Sequence, residues 1–255
     1  MEITVLGCSG GIGGDRHTTA LLVDDDLLVD AGTGVMSLEL DALAAIDRVF
    51  LTHTHLDHIV SLPLMVDSVG ALRAAPVTVY GDRAALEILR SHVFNWRIWP
   101  DFFRIPTPEA PFLESRAVTV GDTLDLGAGR VLRVLPVDHT VPAVGYQITS
   151  PAGSLVFSGD TTCCDAFWEA VNAIDDLRYL IVETAFSENE KPIAVASKHL
   201  CPSMLASELD KFRGDAEVYV THLKPKEEQL IMEQVQALTR LRRVQRLRTG
   251  MRFQL

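Results

Sequence analysis

The stretch His53-Thr54-His55-Leu56-Asp57-His58 holds three imidazoles and one carboxylate within six residues. It directly follows Arg48-Val49-Phe50-Leu51, an apolar run that is typical of a buried strand. Imidazole and carboxylate ligands together suit zinc, manganese or iron. This stretch therefore predicts a metal site at the end of a strand, and the alternative is a polar turn with unrelated histidines.

The spacing within this stretch arranges its side chains in two pairs. Side chains alternate along an extended chain, so His53 and His55 point the same way. A helix that begins near Asp57 would project Asp57 and His58 from its first turn toward the same region. One short turn can thus hold two ligand pairs side by side, one pair for each of two metals.

Four further segments place acidic or imidazole side chains at the ends of predicted strands. They are Leu28-Val29-Asp30-Ala31-Gly32, Val134-Leu135-Pro136-Val137-Asp138-His139, Phe157-Ser158-Gly159-Asp160-Thr161 and Val218-Tyr219-Val220-Thr221-His222. A loop just past a strand can be held by a rigid scaffold. Together with His-x-His-x-Asp-His, this order resembles the metallo-β-lactamase superfamily of hydrolases. The resemblance implies an α/β fold, a four-layer αβ/βα sandwich.

The same resemblance implies a ligand set for two divalent transition metals. The first metal takes His53, His55 and His139, the second takes Asp57, His58 and His222, and Asp160 bridges them. Asp57 is then both a ligand and a catalytic residue. Zinc is the expected metal, with manganese or iron as alternatives, and a shared hydroxide is the expected nucleophile. Asp30 is expected to orient a metal-binding histidine, unless it is a capping or turn aspartate.

A further Glu and His resemble the acid pair of one branch of that superfamily. Metals do not protonate a departing alkoxide, and that step needs a side-chain acid, usually a histidine oriented by a carboxylate. Glu183 ends the predicted strand Arg178–Val182, and His199 lies just before a predicted helix. The pair resembles the phosphodiesterase branch that includes the tRNA 3′-processing endonucleases (RNase Z). Considered alone, His199 would more often be a surface histidine.

Within that branch, several stretches look like class II cyclic-nucleotide phosphodiesterases. They are Ser61-Leu62-Pro63-Leu64, Phe94-Asn95 through Trp99-Pro100-Asp101-Phe102, His199-Leu200-Cys201-Pro202 and Val220-Thr221-His222-Leu223-Lys224-Pro225. The resemblance covers nearly the whole chain. It implies hydrolysis of the 3′ bond of cyclic AMP or cyclic GMP to give the 5′-monophosphate, with a small cyclic nucleotide as the binding partner.

Two stretches outside the ligand set are candidates for substrate binding. The glycine-rich residues 7–14 lack the Gly-Lys-Ser/Thr ending of a phosphate-binding loop and lead into another strand. In the relatives this loop lies near the active-site rim, so Ser9 is expected to contact a phosphate. Residues 92–116 form an irregular, aromatic-rich insertion. We interpret it as a lid in which Asn95 and Trp99 hold the nucleobase, or as a satellite hydrophobic cluster or dimer contact.

Composition bounds the partners and the location. A length of 255 residues with 47% hydrophobic content fits one domain, 1–255. A net charge of -11 argues against a long nucleic acid but allows a small anion at a metal centre. The chain opens on a strand and contains no membrane-spanning run, so we expect a cytoplasmic protein without a membrane partner. Family habit and the aromatic insertion predict a homodimer.

Rival functions share parts of this pattern. An RNase Z-like endonuclease has the same core, but it needs a basic arm to grip RNA, and no such insertion occurs. A β-lactamase or thioesterase would lack the Glu183 and His199 pair. A flavodiiron oxidoreductase would replace His55 with Glu. A non-catalytic nucleotide-binding protein would be expected to have lost ligands, whereas this set is intact.

The coarse secondary structure follows from the same patterns. A hairpin is predicted over residues 19–30 with its turn at residues 24–26. Helices are predicted over residues 35–46, 57–69, 82–92 with Asp82 as the cap, and 226–241.

Overall fold

The computed structural model describes residues 1–239 and 244–255. In chain order its strands are β1 Glu2–Gly7, β2 Ala20–Val23, β3 Leu27–Val29, β4 Arg48–Phe50, β5 Val77–Asp82, β6 Pro106–Thr107, β7 Ala110–Pro111, β8 Leu113–Val118, β9 Thr123–Gly127, β10 Arg130–Pro136, β11 Val144–Ser150, β12 Gly153–Phe157, β13 Leu177–Glu183, β14 Glu217–Thr221, β15 Val244–Arg246 and β16 Arg252–Gln254. The α-helices are α1 Leu40–Ala45, α2 Leu56–Ile59, α3 Ser61–Val69, α4 Arg83–Ile88, α5 Asp165–Val171, α6 Lys191–Ala196, α7 Pro202–Leu209 and α8 Glu228–Leu238.

Two seven-stranded sheets form the centre of the fold. The strand order is β16-β1-β2-β3-β4-β5-β8 in the first sheet and β15-β14-β13-β12-β11-β10-β9 in the second. Strands β3, β4, β5 and β8 run parallel in the first sheet, and β12 to β15 run parallel in the second. Ligands bind outside the carboxyl ends of such strands, so the loops that follow them are the place to seek a site.

Alternating side chains give each sheet two buried faces. On β4, Phe50 points into the core between the sheets, whereas Val49 points into an outer core with residues of α3 and α4. On β13, Ile181 points inward and Leu180 packs outward with residues of α5, α7 and α8. The layers therefore run helix, sheet, sheet, helix, which confirms the predicted four-layer αβ/βα sandwich.

Several predicted elements near the site are confirmed. The hairpin β2–β3 turns at residues 24–26. Asp82 caps α4 by accepting a hydrogen bond from the Ala84 amide over 2.8 Å. The helix predicted over residues 57–69 is observed as α2 and α3, which are separated at Val60. The predicted helix over residues 226–241 is observed as α8, and its predicted end at Leu241 lies outside the described residues.

The predicted helix over residues 35–46 is wrong in its first half. A 3₁₀ turn occupies Thr33–Ser37, and the chain is then extended before α1 begins. Gly34 lies so close to Leu6 that a Cβ on it would be 2.6 Å from the Leu6 carbonyl carbon. This close approach holds the 3₁₀ turn against β1, so its residues do not form a continuous helix with α1.

The aromatic insertion is mostly core. Phe94, Phe102 and Phe103 are buried in the outer core of the first sheet, while Trp96 is 61% exposed. The insertion is also shorter than the predicted span of about 92–116, because residues 113–116 already belong to β8. Packing thus accounts for three of its rings, and its lid and dimer roles stay predictions. No helix in the described part of the chain is long and apolar enough to cross a bilayer.

Candidate metal centre

The loops after four strands bring seven polar side chains together at one edge of the sandwich. Their ligand atoms form two groups, and within each group these atoms lie within 4.8 Å of one another; a third group of the same kind joins Asp160 and His222 to His199. The first group contains His53, His55, His139 and Asp160, and the second contains Asp57, His58 and His222. The structure therefore gathers all seven positions that the sequence predicts as ligands. Metal binding by each of them stays a prediction.

The first group is built from three imidazoles whose nitrogens face each other. Nδ1 of His55 lies 3.1 Å from Nε2 of His53 and 3.1 Å from Nε2 of His139. Burial lowers the pKa of His139 to about 4 and holds the pKa of His53 well below its usual value. Neutral imidazoles at this spacing present lone pairs to one point, as metal-binding histidines do at bond lengths of about 2.1 Å.

The second group contains two buried ring nitrogens that make no well-aligned hydrogen bond, although each has an Asp160 oxygen within 3.4 Å. Nε2 of His58 and Nδ1 of His222 are buried and have no hydrogen-bond partner among the described residues. Nε2 of His222 lies 3.7 Å from Oδ2 of Asp57, which is the most exposed member of the group. Buried polar atoms in proteins are almost always satisfied, so two ring nitrogens without a well-aligned hydrogen bond fit a site that a metal ion would complete.

Asp160 contacts both groups with one carboxylate. Its Oδ2 lies 3.5 Å from Nε2 of His53 and 3.4 Å from Nε2 of His58, and its Oδ1 lies 3.3 Å from Nδ1 of His222. Burial opposes ionisation of Asp160, but the neighbouring His222 and His58 hold its pKa well below the usual range. The carboxylate is therefore charged and placed between the groups, as a bridging ligand would be.

These observations fit divalent metals. The chemistry of the donor set, imidazole with carboxylate, matches zinc, manganese or iron, and the unpartnered buried nitrogens are explained by ions that would bind them. Burial opposes protonation of His58, but the charges of Asp160 and Asp30 outweigh it and raise the pKa of His58 well above its usual value. Binding of a metal ion to His58 would therefore release a proton.

Asp30 orients predicted ligands of both groups. Its Oδ2 accepts hydrogen bonds from Nδ1 of His58 and from the Thr52 hydroxyl, each over 2.8 Å. The Thr52 hydroxyl in turn lies 3.0 Å from Nδ1 of His53, which can donate to it. Both histidines thereby keep Nε2 free for a metal. Asp30 is fully buried and adopts a left-handed backbone, φ 60°, a strained conformation for a non-glycine residue.

The predicted acid pair lies beside the centre. Nδ1 of His199 lies 2.7 Å from Oε1 of buried Glu183, and Thr161 also donates to that oxygen through its amide. The His199 ring stacks on the His222 ring with centroids 5.2 Å apart. Burial opposes protonation of His199, but the Glu183 charge outweighs it and raises the pKa of His199. His199 can therefore hold a proton next to the predicted metal ligands.

The three predicted substrate contacts have different surroundings. Ser9 pairs with Leu223, the residue after His222, and its hydroxyl is buried without a partner among residues 1–239 and 244–255. The Asn95 amide is used within its own turn, where its carbonyl oxygen accepts from two backbone amides and its nitrogen donates to the Ser91 carbonyl. Trp99 is half-buried against the outer core. Substrate binding by all three stays a prediction.

Sequence reasoning missed two lysines at the centre. The Lys198 carbonyl lies 3.0 Å from Nδ1 of His139, and Lys198 holds a left-handed backbone, φ 53°. Lys224 donates from Nζ to the Gly10 carbonyl over 2.8 Å. A backbone carbonyl has no signature in the sequence, so the contact of Lys198 with His139 cannot be predicted from residue types. Lys224 stands two residues after the predicted ligand His222, and this position is the sequence feature that indicates a place near the centre.

Comparison with known proteins places these features in a family. A family model described as "Beta-lactamase superfamily domain" matches residues 26–244. A probable 3′,5′-cyclic-nucleotide phosphodiesterase from Yersinia pestis is 25% identical, across 88% of this chain and 78% of that protein. A ribonuclease Z from Mycobacterium bovis is 31% identical, across 71% of this chain and 70% of that protein. The structure of unliganded yeast PDE1 shares the fold, with a TM-score of 0.83, 19% identity and 98% of each chain covered.

Proposed function

The chain belongs to the metallo-β-lactamase superfamily, in the branch of phosphodiesterases and RNase Z, and on that premise we propose that it hydrolyses 3′,5′-cyclic nucleotides to 5′-monophosphates. The observation that carries the proposal is the pair of Glu183 and His199 beside Asp160 and His222. A buried, carboxylate-oriented imidazole at this place suits a substrate whose leaving group needs a proton. The 3′-oxygen of a ribose is such a leaving group.

The proposed chemistry divides between the metals and the chain's own residues. Two bound divalent metals would activate a water molecule and neutralise charge on the phosphate. Ligands for them would be His53, His55, His139, Asp57, His58, His222 and Asp160. His199 keeps Nδ1 on Glu183, which leaves Nε2 to deliver a proton to the 3′-oxygen as its bond to phosphorus breaks. Water adds to phosphorus, and the product is the 5′-monophosphate with a free 3′-hydroxyl.

Charge favours a small substrate over a long one. The chain carries a net charge of -11, and a protein that grips RNA neutralises many phosphates with Lys and Arg. The similarity to the Yersinia pestis protein points to the same substrate class. The Mycobacterium bovis ribonuclease Z makes RNA cleavage the second candidate, since that protein is also similar over most of the chain.

A panel of phosphodiesters tests the proposal. The metal-loaded protein is assayed on 3′,5′-cyclic AMP, 3′,5′-cyclic GMP, 2′,3′-cyclic AMP, bis-(p-nitrophenyl) phosphate and a precursor tRNA. We expect 5′-monophosphates from the 3′,5′-cyclic nucleotides and no cut in the tRNA. Cleavage of precursor tRNA without turnover of either 3′,5′-cyclic nucleotide would instead establish the RNase Z function.

A further inference from the structure

Lys224 places a half-buried positive charge beside the candidate metal centre. Its backbone amide donates to the Ala185 carbonyl over 3.1 Å, and its Nζ donates to the Gly10 carbonyl over 2.8 Å. Gly10 itself packs on His222, where a Cβ would lie 2.4 Å from the His222 carbonyl oxygen. Lys224 is thus held at both ends, and the glycine-rich segment that holds its ammonium packs on the predicted ligand His222.

The ammonium group also lies close to the acid pair. Nζ of Lys224 is 5.5 Å from the centre of the Phe186 ring, and that ring is 5.7 Å from the ring of His199. A cation, an aromatic ring and the proposed acid therefore follow one another along this side of the centre.

No carboxylate neutralises this lysine at close range. In the described ranges, Lys224 forms no ion pair within 4.0 Å, and the one hydrogen bond of its ammonium is to a neutral carbonyl. Its charge acts at longer range on Glu190. A half-buried ammonium has three donors and needs an anion or water for the other two.

We propose that Lys224 is a substrate-binding residue whose ammonium binds a non-bridging oxygen of the substrate phosphate. The inference rests on the proposed phosphodiesterase function and names its anion contact. The Gly10 carbonyl fixes one ammonium proton on the segment that packs on His222, so little side-chain freedom is lost when the other donors bind an anion. A lysine acts toward phosphate as a point charge, so arginine at this position keeps the attraction.

A structural role for Lys224 is the alternative. In that case the ammonium only ties the glycine-rich loop to the strand end that carries His222, and its loss loosens the loop. The two roles differ in what they predict for a free anion. Anion binding depends on the charge at Lys224, whereas loop tethering depends on the hydrogen bond to Gly10.

The test measures binding of inorganic phosphate to the metal-loaded protein by titration calorimetry. The variants are Lys224→Gln, Lys224→Arg and, as a matched control on the same loop, the exposed Lys226→Gln. Lys224→Gln is expected to weaken phosphate binding about ten- to hundredfold, the size of one charge-assisted hydrogen bond. Lys224→Arg and Lys226→Gln are expected to stay within about threefold of the wild type. The KM for bis-(p-nitrophenyl) phosphate should follow the same order.

Metal content and the thermal midpoint are measured for each variant. Phosphate binding unchanged within about twofold in Lys224→Gln would overturn the proposal, and so would a loss of metal or of thermal stability that Lys224→Arg shares. Neither readout uses a cyclic nucleotide. If cyclic nucleotides are not substrates, the proposed function fails while the phosphate measurement still decides the role of Lys224.

Discussion

Oε1 of Glu183 lies 2.7 Å from Nδ1 of His199, and both side chains are buried beside the candidate metal centre. Glu183 also accepts hydrogen bonds from the amides of Thr161 and Leu200, so three donors hold its carboxylate in place. The carboxylate is therefore rigid, and it fixes both the orientation and the proton of the imidazole.

Glu183→Gln is expected to lower kcat for cyclic AMP by about tenfold to a hundredfold, because a neutral amide no longer stabilises the imidazolium. The KM should change little, since Glu183 does not face the substrate. Steady-state kinetics on cyclic AMP and on bis-(p-nitrophenyl) phosphate measure the effect. A rise in KM with unchanged kcat would show that Glu183 acts in binding.

Asp160→Ala is expected to remove the second metal first. The first group keeps three imidazole nitrogens at 3.1 Å spacings, whereas the second keeps His58, His222 and the partly exposed Asp57. Elemental analysis of the wild type should give about two transition metals per chain, and the variant about one. A fully active wild type with one metal or none would contradict the binuclear assignment.

Asp30 and Thr52 should affect the two metals differently. Asp30→Asn is expected to weaken the binding of both metals by about ten- to a hundredfold. The substitution alters the hydrogen-bond acceptor of His58 and, through Thr52, that of His53. Thr52→Val keeps the side-chain volume and should weaken binding of the first metal only. Competition with a chelator of known affinity measures both. Equal effects of the two substitutions on the binding of both metals would contradict this chain of hydrogen bonds from Asp30 through Thr52 to His53.

Asp26 should stabilise the sandwich in a pH-dependent way. It accepts from Arg48 of β4 and from Arg130 of β10, and so ties the two sheets together. Burial opposes ionisation, but Arg130 and Arg48 lower the pKa of Asp26 below its usual value. A lowered folded-state pKa gives stability that is present above the unfolded-state pKa of about 3.9 and is lost as pH falls through the folded-state value.

Asp26→Asn is therefore expected to destabilise the protein by about 1 kcal/mol at pH 7, a modest value because the site is partly exposed. The difference from wild type should shrink as pH falls below about 3.9 and vanish once pH lies below the lowered folded-state pKa of Asp26. Urea unfolding at several pH values measures it, with the exposed neighbour Asp25→Asn as the control. A difference that persists unchanged into acid would exclude the ion pairs as its source.

Much of the fold and of the predicted ligand set could be predicted, because both follow from the periodicity of the sequence. Alternation along β4 and β13 sets the two faces of each sheet, and ligands placed just after strands had to meet at one edge. The break before α1 depends on the close approach of Gly34 to Leu6, which is a long-range contact. The acceptor for His139 is the Lys198 backbone, whose direction depends on a left-handed φ that no residue type encodes here. Such features come from tertiary structure alone.

The acid role of His199 is tested most directly by the kcat of His199→Ala on two substrates, with metal content measured on the same preparation. We expect kcat for cyclic AMP to fall by about 10²–10⁴, the usual size of general-acid catalysis. We expect a far smaller drop for bis-(p-nitrophenyl) phosphate, whose leaving group needs little protonation, and unchanged metal content. An equal loss on both substrates, or the loss of a metal, would contradict the acid role and make His199 a ligand or a substrate clamp.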